Sequence, residues 1–204
     1  MERTTGNSPQ EAQPIRERVL LHTCCAPCSI ACVADLRGSG VEPTAFWYNP
    51  NIHPFTEYRQ RLNTLRGYAA SIGMALVERN EYGLRTFLTE VDGAFDARCP
   101  VCYRLRLDAA AAYAAENGFP AFSTTLLISP YQNHELLRQV AEDMASRYGV
   151  AFLYRDFRPG FRQGQQEARE LGLYMQKYCG CVFSEEERYA KQLARDMAQP
   201  EKHL

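Results

Sequence analysis

The feature that most constrains the fold is the regular alternation of short apolar runs and longer amphipathic stretches along most of the chain. Five of the apolar runs are typical of buried strands: RVLLHTC, TAFWYN, MALVERN, AFSTTLL and VAFLYRDF. The stretches between them are typical of helices, and several end in glycine, as at Gly38, Gly73 and Gly149. Strands that alternate with helices pair in parallel. The sequence therefore predicts an α/β fold, a mainly parallel sheet with helices on both faces and a helical C-terminal segment.

The length of 204 residues favours one folded domain. Residues 1–15 are polar and contain proline, so we expect a disordered tail there. We expect a single α/β domain over residues 16–198 and a flexible end over residues 199–204. The tail lacks the apolar segment of a signal peptide, and no apolar run is long enough to span a membrane. We therefore expect a cytoplasmic protein that has no membrane partner.

The chain contains eight cysteines, which a cytoplasmic protein keeps reduced. One of them, Cys32, is expected on the inner face of a helix, where a cysteine acts as a small buried hydrophobe. The others cluster at the ends of predicted elements in three groups: Cys24, Cys25 and Cys28; Cys99 and Cys102; Cys179 and Cys181. Clustered thiols in a reducing compartment indicate metal binding or redox chemistry rather than structural disulfides.

All three groups lie beside predicted helix starts. The stretch HTCCAPC follows the first strand, at the edge of a parallel sheet where ligands bind, and Pro27 suits the first turn of a helix. The stretch CPVC opens another helix with Cys99 as its predicted N-cap, where the positive helix end favours a thiolate. The third group precedes a last helix, whose start is predicted from a capping box of Ser184 and Glu187.

The spacing of the two Cys-x-x-Cys pairs is compatible with tetrahedral zinc and equally with an iron–sulfur cluster. Residues 29–98 lie between the pairs and carry much of the predicted sheet. A small zinc ribbon, whose pairs are about 15–20 residues apart, is therefore excluded. A four-coordinate site uses four thiols, so Cys179 and Cys181 are left over, which indicates a redox pair or a second metal.

Four motifs together resemble one known family. The stretches LLHTCCAPCS, ARCPVCYRLRL, STTLLISPYQN and KYCGCVFS, in this order, resemble the QueH family of cobalamin-independent epoxyqueuosine reductases. The resemblance covers residues 17–190. It implies a Rossmann-like fold related to the HUP nucleotide-binding group and a [4Fe–4S] cluster. It also implies reduction of epoxyqueuosine to queuosine in tRNA, the last step of queuosine synthesis, with electrons from an unidentified donor.

Carried over by position, the resemblance implies these cluster ligands: Cys24, Cys25, Cys99 and Cys102. It implies that Cys179 and Cys181 are the redox-active catalytic pair. Some family members have Asp at the position of Cys28; in this chain the cysteine could still serve there as a ligand of an additional iron ion. Removing the epoxide oxygen needs two electrons and two protons. The candidate proton donors are His22, Tyr103 and His134, each of which could instead be structural.

A formal net charge of −1 means that any RNA must bind to a local basic patch. Four arginines beside the thiol motifs are expected to hold tRNA: Arg98, Arg104, Arg158 and Arg162. The alternative is that they form an ordinary solvated surface. Tyr48, Phe55 and Tyr131 could stack a base, although packing in the core is the simpler expectation.

Two alternative functions remain open. A zinc-stabilised tRNA-binding module would need no redox chemistry. An ATP-using HUP-type enzyme, such as a tRNA-thiolating protein, would need a glycine-rich phosphate loop after the first strand, where this chain has HTCCAPCS.

Overall fold

A five-stranded parallel sheet forms the centre of the computed structural model, which describes residues 17–198. Predictions for the two termini, residues 1–16 and 199–204, lie outside the described residues. The strands are β1 Glu17–His22, β2 Val41–Trp47, β3 Leu76–Glu78, β4 Ala121–Thr124 and β5 Ala151–Phe152. Their order is β3-β2-β1-β4-β5, and every neighbouring pair is parallel. This is the order of the Rossmann fold, so the predicted fold class is confirmed.

Helices cover both faces of the sheet. Within residues 17–198 they are α1 Ala26–Gly38, α2 Phe55–Ser71, α3 Leu84–Val91, α4 Arg98–Glu116, α5 His134–Tyr148, α6 Phe161–Glu170 and α7 Val182–Met197. Adjacent residues of β2 point to opposite faces: Phe46 stacks on Tyr113 of α4 at 5.1 Å, whereas Trp47 packs on Tyr58 of α2 at 5.4 Å. Helix α1 also packs on α2 and α6, and α4 packs on α5. None of these helices is long and apolar enough to cross a bilayer.

The central strand β1 positions the site. Its residues Val19, Leu20 and Leu21 are almost fully buried, because β1 is covered on both faces and paired on both edges. His22, its last residue, is in register with Phe46 of β2 on one side and Thr124 of β4 on the other. The chain order of the strands reverses at β1, and ligands bind at such a switch point beyond the carboxyl ends of the strands.

Two predicted helix starts are wrong by a few residues. Helix α4 begins at Arg98 with Ala97 as its N-cap, so Cys99 lies inside the first turn. Helix α7 begins at Val182, and its N-cap is Cys181, whose sulfur accepts a hydrogen bond from the Ser184 amide at 3.4 Å. The predicted capping box of Ser184 and Glu187 would have started this helix after Ser184, a few residues further along the chain. A thiol takes the capping place because the chain leaves the Cys-Gly-Cys turn directly into the helix.

Candidate metal and redox site

Three thiols meet immediately after β1. The sulfurs of Cys24, Cys25 and Cys28 all lie within 4.8 Å of one another, and all three residues are buried. Cys25 is the N-cap of α1, and the Cys24 amide donates to Oγ1 of Thr125 at 3.2 Å. Over residues 17–198, no other group of three or more His, Cys, Asp or Glu side chains is close enough to share a metal ion.

Hydrogen bonds to sulfur hold this thiol triad. Nε2 of Gln176 donates to the sulfurs of Cys25 and Cys28 at 3.0 and 3.4 Å, and Oγ1 of Thr125 donates to Cys24 at 3.5 Å. The sulfur–sulfur hydrogen bond with Cys25 lowers the pKa of the Cys24 thiol. Burial raises the pKa of Cys25, and the hydrogen bond with Cys24 raises that of Cys28. The triad therefore favours one thiolate, on Cys24, with the neighbouring thiols as donors.

The two cysteines of α4 lie outside this close group and interact with the third group. Cys102 is buried in a small cluster with Cys181, Phe87 and Val91. Burial raises the pKa of Cys102 to about 12, and thiolates at Cys179, Cys181 and Cys99 add to this effect. Cys99 is exposed. The four predicted cluster ligands are thus divided in this structure between the triad and the N-terminal end of α4.

Arg106 lies among all three cysteine groups. It is 1% exposed, and its charge interacts with thiolates at Cys102, Cys179 and Cys24. Its Nε donates to the Cys102 carbonyl at 3.0 Å, whereas Nη2 is buried without a hydrogen-bond partner. No carboxylate of residues 17–198 forms an ion pair with it. A buried cation of this kind requires negative charge nearby, and the thiols are the groups in place to carry it.

Arg61 holds the Cys-Gly-Cys turn in place. Its two terminal nitrogens donate to the carbonyls of Tyr178 and Cys179, both at 2.9 Å, and its Nε donates to Glu57 at 2.7 Å. On the other side of the turn, the His53 amide donates to the Gly180 carbonyl at 2.8 Å. Gly180 has φ 145°, and a Cβ there would lie 3.2 Å from Ile52. A larger residue is therefore disfavoured between the two thiols.

A cavity of about 610 Å³ opens onto the thiols. Cys24, Cys28 and Cys179 lie on its wall. Its other charged and aromatic lining residues are Arg61, Arg162, Arg169, Lys177, Tyr131, Phe161 and Tyr178. No carboxylate is among the described residues that line it. A cavity of this size can accept a nucleoside.

Three of the four arginines expected at the RNA are ion-paired. Arg98 pairs with Glu187 at 2.5 Å, Arg104 with Glu90 at 2.6 Å and Arg158 with Asp156 at 2.7 Å. Arg162 is the one of the four that lines the cavity.

The three candidate stacking rings differ in exposure. Tyr48 is buried beneath Arg79, and Phe55 packs on Tyr82. Tyr131 is 85% exposed at the cavity. Phe55 is also exposed, at 49%, but it does not line the cavity, so Tyr131 is the exposed candidate ring at the cavity.

The three candidate proton donors differ in their hydrogen-bond partners. Burial lowers the pKa of His22 to about 4, and its Nδ1 is 2.9 Å from Oγ1 of Thr124, so it is a neutral interior residue. His134 is bound to the Ser129 carbonyl at 2.9 Å. The Tyr103 hydroxyl donates to Oε1 of Gln132 at 2.6 Å, and Nε2 of Gln132 donates to the Cys179 sulfur at 3.5 Å. Tyr103 is thus linked to the cavity thiol of Cys179 through Gln132.

Several residues at the site were not singled out from the sequence. Gln132 lies in the quoted motif STTLLISPYQN, and Gln176 directly precedes KYCGCVFS, so proximity to the motifs was an available signal. Arg169 follows Arg162 by seven residues, a spacing that places both on one helical face. For Arg61, which lies more than a hundred residues before the turn it holds, we find no sequence signal.

Comparison with known proteins agrees with this site. The family model described as epoxyqueuosine reductase QueH matches residues 19–187. The epoxyqueuosine reductase QueH of Dehalococcoides mccartyi is 40% identical over 174 residues, which cover 85% of this chain and 96% of that protein. The protein of the same name from Thermotoga maritima is 35% identical over 182 residues, covering 85% of this chain and 93% of its own.

A solved structure, described as a predicted subunit of tRNA methyltransferase from Methanocaldococcus jannaschii, aligns with 74% of this chain and 76% of its own. Its sequence identity is 11% and its TM-score is 0.48. The thiol motifs, the family match across nearly all described residues and the relatives of similar length lead to one conclusion: the chain belongs to the epoxyqueuosine reductase QueH family.

Proposed function

We propose that this protein is a cytoplasmic enzyme that reduces epoxyqueuosine to queuosine in tRNA with the help of a [4Fe–4S] cluster. The observation that carries the proposal is one cavity that reaches both the buried thiol triad and the exposed thiol of Cys179. Its relatives are named epoxyqueuosine reductases. The cavity holds cationic and aromatic side chains without a carboxylate among its described lining residues, which suits a nucleotide of an RNA.

The residues present fit an iron–sulfur cluster. Thiolates are the ligands that such clusters prefer, and the buried charge of Arg106 would be balanced by an anionic cluster. We propose Cys24, Cys25, Cys99 and Cys102 as its ligands, and Cys28 as a ligand of an additional iron. When bound, the cluster supplies one-electron transfer from an external donor to the site.

The thiols of Cys179 and Cys181 can supply the electrons and protons that the reaction consumes. Conversion of the epoxide to an alkene consumes two electrons and two protons and releases the oxygen as water. Two thiols supply both when they form a disulfide, and a one-electron reductant must then restore them in two steps. The hydrogen bond from Gln132 orients the Cys179 sulfur, and Tyr103 holds that glutamine.

The tRNA is held by arginines around the cavity. Arg162 already lines the cavity, whereas Arg98, Arg104 and Arg158 would have to exchange their carboxylates for phosphates. Phosphate contacts make affinity dependent on salt concentration.

The test uses anaerobically purified cysteine variants. We expect Cys24→Ser and Cys102→Ser to lose the brown chromophore together with bound iron and sulfide. Cys179→Ser and Cys181→Ser should keep the chromophore. They should convert no epoxyqueuosine when the nucleosides of the treated tRNA are analysed by mass spectrometry. Cys32→Ala is the matched control: Cys32 is buried on α1, outside the thiol triad, and should keep both properties. Loss of the chromophore in the Cys179 or Cys181 variant would show that the ligands are divided differently.

One observation favours a second candidate, a single zinc ion in a non-redox tRNA-binding protein. The sulfurs of Cys24 and Cys25 are 3.8 Å apart. Tetrahedral zinc with bonds of about 2.3 Å places its sulfurs at about that separation. Metal analysis decides between the two: a colourless protein with one zinc and no turnover supports this second candidate.

A further inference from the structure

We propose that one nucleotide beside the reacting one is held by a rim made of Arg162, Arg169, Lys177 and Tyr131, which we call the α6 rim. Phosphate oxygens would bind the three cations, and a base would stack on the tyrosine ring. This inference rests on the proposed function and specifies which surface holds the RNA.

The three cations of the α6 rim are unpaired. All three are exposed and line the cavity, and none forms an ion pair with a carboxylate of the described chain. Arg98, Arg104 and Arg158 each already hold a carboxylate. An arginine that must give up a carboxylate contributes less binding free energy to a phosphate than an arginine that is only solvated. The α6 rim therefore supplies the exposed positive charge at the cavity that no carboxylate already neutralises.

The backbone places these cations beside the thiols. Arg162, Gln165 and Arg169 recur at intervals of three and four residues and share one face of α6. On the packed side of α6, its N-cap Gly160 and its residue Gly164 lie against Ala31 of α1, where added Cβ atoms would lie 2.9 and 3.3 Å from the Ala31 methyl.

Because no side chain separates the two helices at that point, α6 lies close to α1. Helix α1 begins beside Cys25 and carries Cys28 in its first turn. The basic face of α6 and the thiols therefore line the same cavity.

An exposed ring completes the α6 rim. Tyr131 is 85% exposed, and its ring meets Phe161, the first residue of α6, edge to face at 6.2 Å. An exposed aromatic ring beside cations is the usual platform for an unpaired RNA base, since every base has a face that can stack. The tyrosine hydroxyl is not needed for such stacking.

The test is RNA binding by the full-length protein with its metal bound, measured by fluorescence anisotropy over a range of salt concentrations. The probe is a labelled tRNA transcript without modified bases. For the triple variant R162Q/R169Q/K177Q we expect at least about tenfold weaker binding. Its slope of log K against log salt should flatten by about 2, because each single-strand phosphate contact contributes about 0.7.

Three further variants sharpen the result. The triple variant R66Q/R138Q/R147Q removes the same charge from ion-paired arginines that do not line the cavity, and should keep the wild-type slope. Tyr131→Ala should weaken binding by about 5- to 150-fold without changing the slope, whereas Tyr131→Phe should bind like the wild type.

The outcomes separate the two proposals. If R98Q/R104Q/R158Q flattens the slope and the α6-rim variant does not, the inference is overturned while the proposed function stands. An equal loss of RNA affinity in the α6-rim variant and in the R66Q/R138Q/R147Q variant also overturns the inference, because only the total charge would then matter. If the wild-type protein with its metal bound neither binds the RNA nor converts epoxyqueuosine in tRNA, the proposed function itself fails.

Discussion

At the scale of single residues, Arg61 links the stability of the fold to the shape of the site. It is 1% exposed, pairs with the buried carboxylate of Glu57 and holds the carbonyls of Tyr178 and Cys179. Arg61→Met would leave Glu57 charged and buried without its cation. We expect the free energy of unfolding to fall by about 3–5 kcal/mol, measured by urea denaturation of the reduced protein.

The matched control for Arg61 is Arg66→Met, one turn further along α2. Arg66 pairs with Glu78 at 2.5 Å, but its side chain is 44% exposed. Exposed pairs contribute less than about 1 kcal/mol, so this variant should unfold close to the wild-type midpoint. Equal losses in the two variants would contradict a special role for Arg61.

At the scale of elements, the contact between α1 and α6 depends on glycine. A side chain at Gly164 must enter a space in which the Ala31 methyl is already 3.3 Å from the Cβ position. We expect Gly164→Val to destabilise the protein by about 1–3 kcal/mol, because the two helices must move apart. The same movement displaces Arg162 and Arg169, so RNA affinity should fall together with stability in denaturation and anisotropy measurements.

Two further variants test this reasoning. Gly67 lies in α2, and an added Cβ there meets nothing within 4 Å. Gly67→Ala should therefore stabilise the protein by about 0.5–1 kcal/mol through helix propensity alone. The double variant Ala31→Gly with Gly164→Ala moves one methyl group across the contact. Its free energy of unfolding should be close to that of the wild type. A Gly164→Val protein as stable as the wild type would show that the helices are not in tight contact.

At the scale of the whole molecule, the site joins three distant parts of the chain. They are the turn after β1, the first turn of α4 and the turn before α7, and in this structure they are held by side chains such as Arg106 and Arg61. A cluster bound across the first two would add strong bonds between segments that are otherwise joined by weak ones. Binding to the folded state stabilises most the segments that must come together for binding.

We therefore expect a local effect when the metal is removed by a chelator. Hydrogen exchange should become at least about tenfold faster, a change of about 1.4 kcal/mol, at the starts of α1 and α4 and over residues 176–184. Amides of β1 should keep their protection, because the sheet packs without the site. Exchange that accelerates equally in β1 would contradict this expectation and would mean that the cluster holds the whole fold together.

The sequence by itself determined the architecture and the family. Periodicity predicted the parallel sheet, and glycine predicted helix ends such as Gly149, which adopts φ 65° after α5. Four motifs, three of them with cysteines, indicated the family that the comparisons confirm. These signals are local: each depends on residues within a few positions of one another, so they can be detected along the chain.

Only the tertiary structure decided which side chains are neighbours at the site. It brought Gln176 to the sulfurs of Cys25 and Cys28, and it placed Cys102 against Cys181. It also paired Arg98 with a carboxylate from a distant segment, whereas Arg162 stayed free at the cavity. The physical reason is that a charge or a thiol responds to whatever lies within a few ångströms of it. In a doubly wound sheet those neighbours come from distant parts of the chain.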